Sequence, residues 1–374
     1  MPRIIATASA LPSTYYEQAL LAQTLEHFIA SLERPFEGLW LVADIFKNAK
    51  VRGRHFAIPL DSFYEPPDIG RGHRRMVEER NALCASALAS LFEKSGVAAS
   101  AITQLTSVTS VMSIPSVDAE MMNRFGFRGD LKRAPLLGLG CQAGAAGISR
   151  VTDYLRGHPR EAAILLGVEM GSSIWAGPLQ RDLEHLLEQL QRESEVYPII
   201  LSQIVAASLF GDGAAALLMV GDEHPLATRP GPRVFDTRSV FVPGTVGLMG
   251  MNMEDAGPRN VLGVDVPALA SRTFAEGLGG LLAEHALDAS RIAHWFIHPG
   301  GPKVLQELQA ITRLPDAALA SSWSVLNDVG NLSSATVLYM LGQHHDANSA
   351  SAGDLGLLTA MGPGFSEELV LLQW

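Results

Sequence analysis

The chain has 374 residues, 47% of them hydrophobic, with 39 acidic against 28 basic residues and a formal net charge of -11. That length and apolar content suit two packed domains of about 150–200 residues each. The acidic balance disfavours nucleic acid or an anionic membrane surface as partner, no apolar run approaches the roughly 18 residues of a membrane span, and MPRIIATASALP lacks the long apolar stretch of a signal peptide. Two cysteines, Cys84 and Cys141, do not make a disulfide framework, and a free reactive thiol suits a reducing cytoplasm.

Residues 16–50 carry apolar positions at three- and four-residue steps and predict mainly helix, followed by a basic stretch with Lys47, Lys50, Arg52 and Arg54. That stretch is either a solvated loop or an entrance for an anionic small molecule. A second long helix is predicted over 73–95, and it places Cys84 in the core. Next come a strand over 102–111, a helix over 118–127 ending near Gly126, a buried strand over 134–140 and a helix over 143–157. A strand follows over 161–170. Residues 178–198 place Leu183, Leu186, Leu187 and Leu190 on one helical face, with Pro198 predicted to close the helix. A surface helix, a dimer contact or a lid all fit it.

The segment 211–221 predicts a tight turn and a buried strand. Residues 222–240 are rich in Pro and Arg, and they set a boundary between an N-terminal half (1–225) and a C-terminal half (226–374). The second half repeats the order, with helices over 274–287, 302–312 and 331–345, a strand over 293–300 and a strand pair over 353–374. Strands separated by helices, in two halves of similar order, predict duplicated α/β layers.

Cys141 carries the strongest chemical signal. It follows an apolar run, has Gly138 and Gly140 before it and a helix after it. A thiol delivered there meets unpaired N–H groups that lower its pKa and can hold an oxyanion. His298 precedes Pro299-Gly300-Gly301-Pro302 at a strand end, where an imidazole can stabilise a thiolate or donate to a thioester oxygen. Asn331, in Gly330-Asn331-Leu332-Ser333-Ser334, is either a helix cap or an uncharged donor to a carbonyl. If it donates, Ser333 or Ser334 is free to cap. Phe210 is a core aromatic or a pocket wall, Asp212 fixes a turn, and His294 is structural. The histidine spacing makes no zinc signature.

Together these pieces resemble the chalcone and stilbene synthase superfamily, the type III polyketide synthases, in their bacterial branch. The carriers are Gly140-Cys141 with Ala143-Gly144, Leu209-Phe210-Gly211-Asp212-Gly213, His298-Pro299-Gly300-Gly301-Pro302, Gly330-Asn331-Leu332-Ser333-Ser334-Ala335 and Met361-Gly362-Pro363-Gly364. The resemblance implies a thiolase-like fold of five αβαβα layers and a cytoplasmic homodimer. It implies an acyltransferase that condenses malonyl-CoA onto an acyl-CoA starter held on Cys141, with no cofactor beyond these CoA thioesters. Cys141, His298 and Asn331 resemble the catalytic residues and Phe210 a gatekeeper. Lys47, Arg52, Arg54 and Lys303 become candidates for coenzyme contacts, and Gly362 and Pro363 for the pocket. The product expected is a pyrone or a phenolic ring.

Departures concern the pocket. Asn260 stands where plant enzymes carry a second gatekeeper Phe, Gly171 where a Thr or Cys lines the wall, and Ile174 where a Thr is usual. Ile114 stands where a Met crosses the dimer interface, and the stretch from Ile174 to Phe210 is longer than in the plant enzymes. Gly171 and Asn260 predict room for a medium or long starter; Ile174 and the 178–198 segment oppose it. A ketoacyl synthase III, a hydroxymethylglutaryl-type condensing enzyme and a non-catalytic acyl-CoA-binding partner remain alternatives, with a thioesterase weaker for want of a water-activating carboxylate.

Overall fold

A computed structural model describes residues 1–32, 36–65, 68–175, 178–254 and 257–374. The strands in chain order are β1 (Arg3–Ala10), β2 (Tyr15–Glu17), β3 (Gly53–His55), β4 (Gln104–Val108), β5 (Lys132–Leu136), β6 (Ala162–Met170), β7 (Asp212–Val220), β8 (Arg233–Phe241), β9 (Met249–Glu254), β10 (Gly257–Leu262), β11 (Ile292–Ile297), β12 (Leu355–Gly362) and β13 (Ser366–Gln373). The helices are α1 (Gln18–Ser31), α2 (Trp40–Asn48), α3 (Ile69–Ser95), α4 (Val117–Phe125), α5 (Ala143–Gly157), α6 (Pro178–Leu190), α7 (Tyr197–Leu209), α8 (Val266–Glu284), α9 (Pro302–Thr312), α10 (Asp316–Val329) and α11 (Ala335–Ala347).

The main sheet runs β11-β12-β13-β8-β1-β7-β6-β4-β5. Its two arms follow one plan. From β1 outward, β7 is antiparallel to β1, β6 antiparallel to β7, and β4 parallel to β6. From β8 outward, β13 and β12 enter antiparallel and β11 parallel. The arms meet at one pair, Arg3 opposite Arg233.

Side-chain alternation explains the layers. On β6, Ile164, Leu166 and Val168 face a cluster with Leu88 and Leu91 of α3 and Met121 of α4. Ala163 and Leu165 face the opposite cluster, which holds α5, α11 and the inner residues of β12 and β13. A third cluster joins the outer side of β11–β13 to α8 and α9. A strand buried on both faces is apolar along nearly its whole length, as β6 is apart from Glu169 and β7 apart from its first residue, Asp212. The result is helices, sheet, helices, sheet, helices: the duplicated five-layer α/β arrangement.

Several elements differ from the sequence expectation. Residues 16–50 form two helices, α1 and α2, not one. The strand before Cys141 is β5, Lys132–Leu136, an edge strand largely open to solvent. It starts earlier than the apolar run, whose last residues turn away towards Cys141. The 222–240 stretch includes β8, so only its first part is connecting chain. Pro198 closes nothing: α6 ends at Leu190, and Pro198 sits in the first turn of α7, where a missing N–H is harmless. The leucines of α6 are buried against α1, α2 and α7, which leaves that face unavailable as a dimer contact. Cys84 lies fully buried on the core face of α3, and burial pushes its thiol up to about 12.

Candidate active site

The site forms where the first turns of α5 and α11 approach one another. The small residues that open α5 permit this. A Cβ on Gly144 would lie 2.1 Å from the Ser334 carbonyl oxygen, and one on Gly147 2.5 Å from Leu165. Cys141 sits just before α5 in a 3-10 turn, Gly140–Gln142. Gly140 has φ +51°, and a Cβ there would meet the Pro363 ring at 2.7 Å; one on Gly362 would meet the Leu139 carbonyl at 2.2 Å. Gly362 and Pro363 therefore back the Cys141 turn. Both are where only a glycine-to-proline fit allows the two loops to interlock.

Contacts link the three candidate residues. Cys141 Sγ lies 3.5 Å from Ser333 Oγ. The Ser333 N–H donates to Asn331 Oδ1 at 2.7 Å. The Asn331 amide nitrogen is 3.5 Å from the Gly300 carbonyl, and the Gly300 N–H donates to the His298 carbonyl at 3.0 Å. The Asn331 side chain does not cap α11: its oxygen braces the Ser333 turn, and its NH2 group is held only at the limit of hydrogen-bond distance. Neither serine caps α11. Ser333 Oγ faces the thiol, and Ser334 Oγ donates to Glu169.

His298 follows β11, anchored by its own N–H to the Thr359 carbonyl at 2.9 Å. Its ring is buried, yet neither ring nitrogen has a hydrogen-bond partner. Such orphaned polar atoms are costly unless a ligand completes them. Burial pushes its pKa down to about 4, so the imidazole is neutral. The Cys141 thiol departs from the expected lowering. Burial pushes it up to about 11, against the opposing hydrogen bond from Ser333, and the buried Glu169 charge adds to the rise. Desolvation outweighs the N–H groups of the turn. At neutral pH the site therefore holds a neutral thiol and a neutral imidazole.

Phe210 is half-buried and bridges Asn331 through the backbone: the Gly211 N–H donates to the Asn331 carbonyl at 3.0 Å, and the Asn331 N–H to the Leu209 carbonyl at 2.8 Å. Asp212 holds the turn as expected, accepting from the Ala57 and Ser172 N–H groups at 2.7 and 2.6 Å. Gly171 offers no free wall. A Cβ there would lie 2.7 Å from backbone atoms of Phe210 and Gly211, so its small size accommodates neighbouring chain, not ligand. Ile174 packs against the α1, α2, α6 and α7 cluster. Asn260 lies on β10, its N–H and carbonyl both bonded to the Gln203 side chain of α7.

The basic residues divide. Lys47, Arg52 and Lys303 are exposed; Arg52 pairs with Asp328 at 3.1 Å and Lys303 lies 3.9 Å from Glu307. Arg54 is not a coenzyme contact. It is fully buried and donates to the carbonyls of Ala207 and Phe210, both at 2.7 Å. It fixes the end of α7, where a cation completes open carbonyls. Its sequence neighbours gave no sign of this, because an arginine in a basic stretch reads as surface. Sequence reasoning offered Ser333 only as a cap and passed over Glu169. Glu169 is buried beneath the site, accepts from the Ser110 N–H at 3.0 Å and its hydroxyl at 2.7 Å, and burial raises its carboxyl pKa. An acidic residue inside the apolar run of β6 was its one visible signal.

Among the described residues no group of three or more His, Cys, Asp or Glu is placed to hold a metal, and no helix is long and apolar enough to cross a membrane.

An orphaned buried imidazole, a carboxamide and a thiol at the meeting of two duplicated α/β halves define a condensing acyltransferase of the thiolase-like fold. Residues 234–374 match the C-terminal domain of chalcone and stilbene synthases, and residues 39–182 match the FAE1/type III polyketide synthase-like protein family. A 1,3,6,8-tetrahydroxynaphthalene synthase of Streptomyces peucetius subsp. caesius is 37% identical over 99% of this chain and 93% of its own length. A putative chalcone synthase of Bacillus subtilis is 27% identical over 100% of this chain and 99% of its own. The crystal structure of the Streptomyces coelicolor tetrahydroxynaphthalene synthase superposes with a TM-score of 0.85 at 24% identity, covering 100% of this chain and 99% of that one. The chain belongs to the type III polyketide synthases of the chalcone and stilbene synthase superfamily. It is an enzyme of that class, whose reaction is decarboxylative condensation of malonyl-CoA with an acyl-CoA starter.

Proposed function

We propose that Cys141 carries the acyl starter and that His298 and Asn331 hold the thioester oxygen during decarboxylation. The observation that carries this reading is His298: buried, neutral and with both ring nitrogens unpartnered, in a loop whose Gly300 carbonyl meets the Asn331 amide. A free imidazole nitrogen accepts the thiol proton as Cys141 attacks the starter thioester. The carbon–sulfur bond of the starter breaks, and coenzyme A leaves as the thiol with that proton.

Malonyl-CoA then enters. Its terminal carbon–carbon bond breaks, CO2 departs, and the electron pair moves onto the thioester oxygen as an enolate. Donors from His298 and Asn331 stabilise that charge, which exists only as the bond breaks. The enolate carbon attacks the Cys141 thioester, and Cys141 is released as thiolate to be reprotonated or reloaded. The neutral resting pair supports this order: both groups take charge only when substrate is bound.

Coenzyme phosphates meet the exposed Lys47, Arg52 and Lys303, and Phe210 and Asn260 flank the acyl path. The active form is a homodimer, with Ile114 fully exposed on each copy as a contact residue, and it works in the cytoplasm. Its N-terminal half, 1–225, supplies Cys141, and its C-terminal half, 226–374, supplies His298 and Asn331. A phenolic ring is the favoured product, in keeping with the name of the relative at 37% identity, and a pyrone is the second. Intact-protein mass spectrometry after exposure to an acyl-CoA tests the reading. An acyl adduct on Cys141 is expected; an adduct on Cys84 alone, or turnover in Cys141→Ala, overturns it.

A further inference from the structure

The two-stranded ribbon of β9 and β10 is separate from the main sheet. A lone pair of strands is marginal in water and needs outside anchors. Its base has them, since Met249 and Leu262 pack against the outer cluster under α8. Its middle, from Met251 to Asn260, is held by polar contacts. Arg259 lies against Asp182 of α6, its Nε at 2.8 Å and an Nη at 2.6 Å from the same carboxylate oxygen. Both side chains are largely buried, at 14% and 5% exposed. The adjacent Asn260 is gripped at both backbone groups by Gln203 of α7, at 2.8 and 3.3 Å.

The two anchoring helices are themselves rigid. Leu183, Leu186 and Leu187 of α6 are buried, which ties Asp182 to the body. α7 runs on from Gln203 to Leu209, about 9 Å along its axis, and there meets Asn331 and Gly211 through the backbone. Moving Asp182 or Gln203 therefore moves β10 against a fixed catalytic end.

We propose that the Asp182–Arg259 pair, with Gln203, is a latch that sets the position of β10 and so the length of acyl chain the enzyme accepts. These are positioning residues, remote from the reacting atoms. The inference rests on the proposed placement of Asn260 beside the acyl path. It gives the longer stretch between Ile174 and Phe210 a function: α6 supplies the fixed half of the latch. Without Asp182, the buried Arg259 keeps only the more exposed Glu254 carboxylate, 3.9 Å away, and this poorer compensation drives the strand to a new position.

The test uses Asp182→Asn and Gln203→Leu in the full-length protein. Each is assayed with short- and long-chain acyl-CoA starters and with malonyl-CoA alone, and hydrogen exchange is followed across β10. The latch predicts that malonyl-CoA decarboxylation stays within about twofold while the ratio of kcat/KM between long and short starters changes by about fivefold or more. Exchange in β10 should rise, and Asp182→Asn combined with Arg259→Gln, which leaves no stranded charge, should bring the ratio back. An unchanged ratio with unchanged exchange overturns the latch. So does a parallel fall in decarboxylation and in every starter, or failure of both single variants to fold. Wild-type protein inactive on malonyl-CoA would instead sink the proposed function, with exchange in β10 still deciding the latch.

Discussion

The Cys141 thiol points at the Ser333 hydroxyl, 3.5 Å away, and Ser333 is held there in a left-handed backbone conformation with φ +47°. Non-glycine residues adopt that region rarely. The N–H of the same serine is pinned by Asn331 Oδ1. One residue thus ties thiol and carboxamide together, and its hydroxyl is the largest influence lowering the thiol pKa against burial.

Removing that hydroxyl should make the thiol less acidic. Ser333→Ala keeps a side chain at the same φ and loses only the bond. With a hydrogen bond of about 1 kcal/mol at stake, iodoacetamide should label Cys141 about fivefold more slowly at pH 8. Equal labelling rates across pH 7–10 would show that Ser333 does not act on the thiol.

His298 should leave a mark on stability as well as on chemistry. Its folded pKa, about 4, lies below the ordinary 6.5. Above 6.5 the ring is neutral folded or unfolded and nothing is lost. As pH falls from 6.5 through 4 the unfolded chain takes up a proton that the folded chain resists, so stability drops. His298→Gln should be less sensitive than wild type over that window, by roughly 3 kcal/mol at pH 4. Decarboxylation by wild type should not fall between pH 8 and 5.5 through His298 protonation. Denaturant melts at pH 7 and 4.5 with parallel slopes for the two proteins would contradict this.

Glu367 gives the opposite sign. It is buried, accepts from Thr359 Oγ1 at 2.8 Å, and its second oxygen has no partner. That oxygen lies 3.0 Å from where a Cβ on Gly277 would stand. Burial pushes its pKa up to about 8 from 4.5. Below 4.5 the carboxyl is protonated in both states; as pH rises through 8 the folded state must keep a proton or bury a charge, and stability falls. Glu367→Gln should therefore leave the melting temperature unchanged at pH 4.5 and raise it at pH 9, by about 5 kcal/mol of stability. A variant no more stable than wild type at pH 9 would mean that the carboxylate is accommodated.

The two basic environments should separate in kinetics. Arg54→Met leaves the Ala207 and Phe210 carbonyls without donors, a loss of about 3 kcal/mol, and should lower the melting temperature. Its KM for acyl-CoA and the salt dependence of that KM should stay those of wild type. Lys47→Gln, Arg52→Gln and Lys303→Gln should instead raise KM, with a salt dependence weaker than that of wild type and little change in melting temperature. A raised KM with a weakened salt dependence in Arg54→Met, at wild-type stability, would return Arg54 to the coenzyme entrance.

What could be read from sequence follows the range of the forces involved. β6, β7, β12 and α5 were visible because burial on both faces or on one stripe imposes its period on neighbouring residues. Gly140 and Gly144 marked the Cys141 turn because close approach excludes any larger residue. The ribbon of β9 and β10 carried no such period and went unseen; α10 was missed although Ala318, Leu319, Val325, Leu326 and Val329 recur at helical spacing. The inward course of Arg54, the pairing of Asp182 with Arg259 and the place of Ser333 depend on partners far along the chain. So does the thiol pKa: local residues argued for lowering, and the burial that reverses it is a property of the assembled site.

Gly171 illustrates the same limit and ends in a different experiment. A glycine replacing a larger wall residue suggested added room for a starter. In the fold, its Cβ direction is already taken: the Gly211 nitrogen, the Gly211 oxygen and the Phe210 carbonyl carbon all lie 2.7 Å from where a Cβ would stand. Backbone cannot yield as a flexible side chain does, and that segment is bonded to Asn331 and to Arg54. Gly171→Ala should therefore push Phe210 and Asn331 out of place. Overpacking of this kind costs about 1–3 kcal/mol, and turnover should fall with every starter in equal proportion. Chain-length preference should stay that of wild type, in contrast to the Asp182 and Gln203 variants. A Gly171→Ala protein that melts as wild type does and rejects only the longer starters would restore Gly171 to the cavity wall.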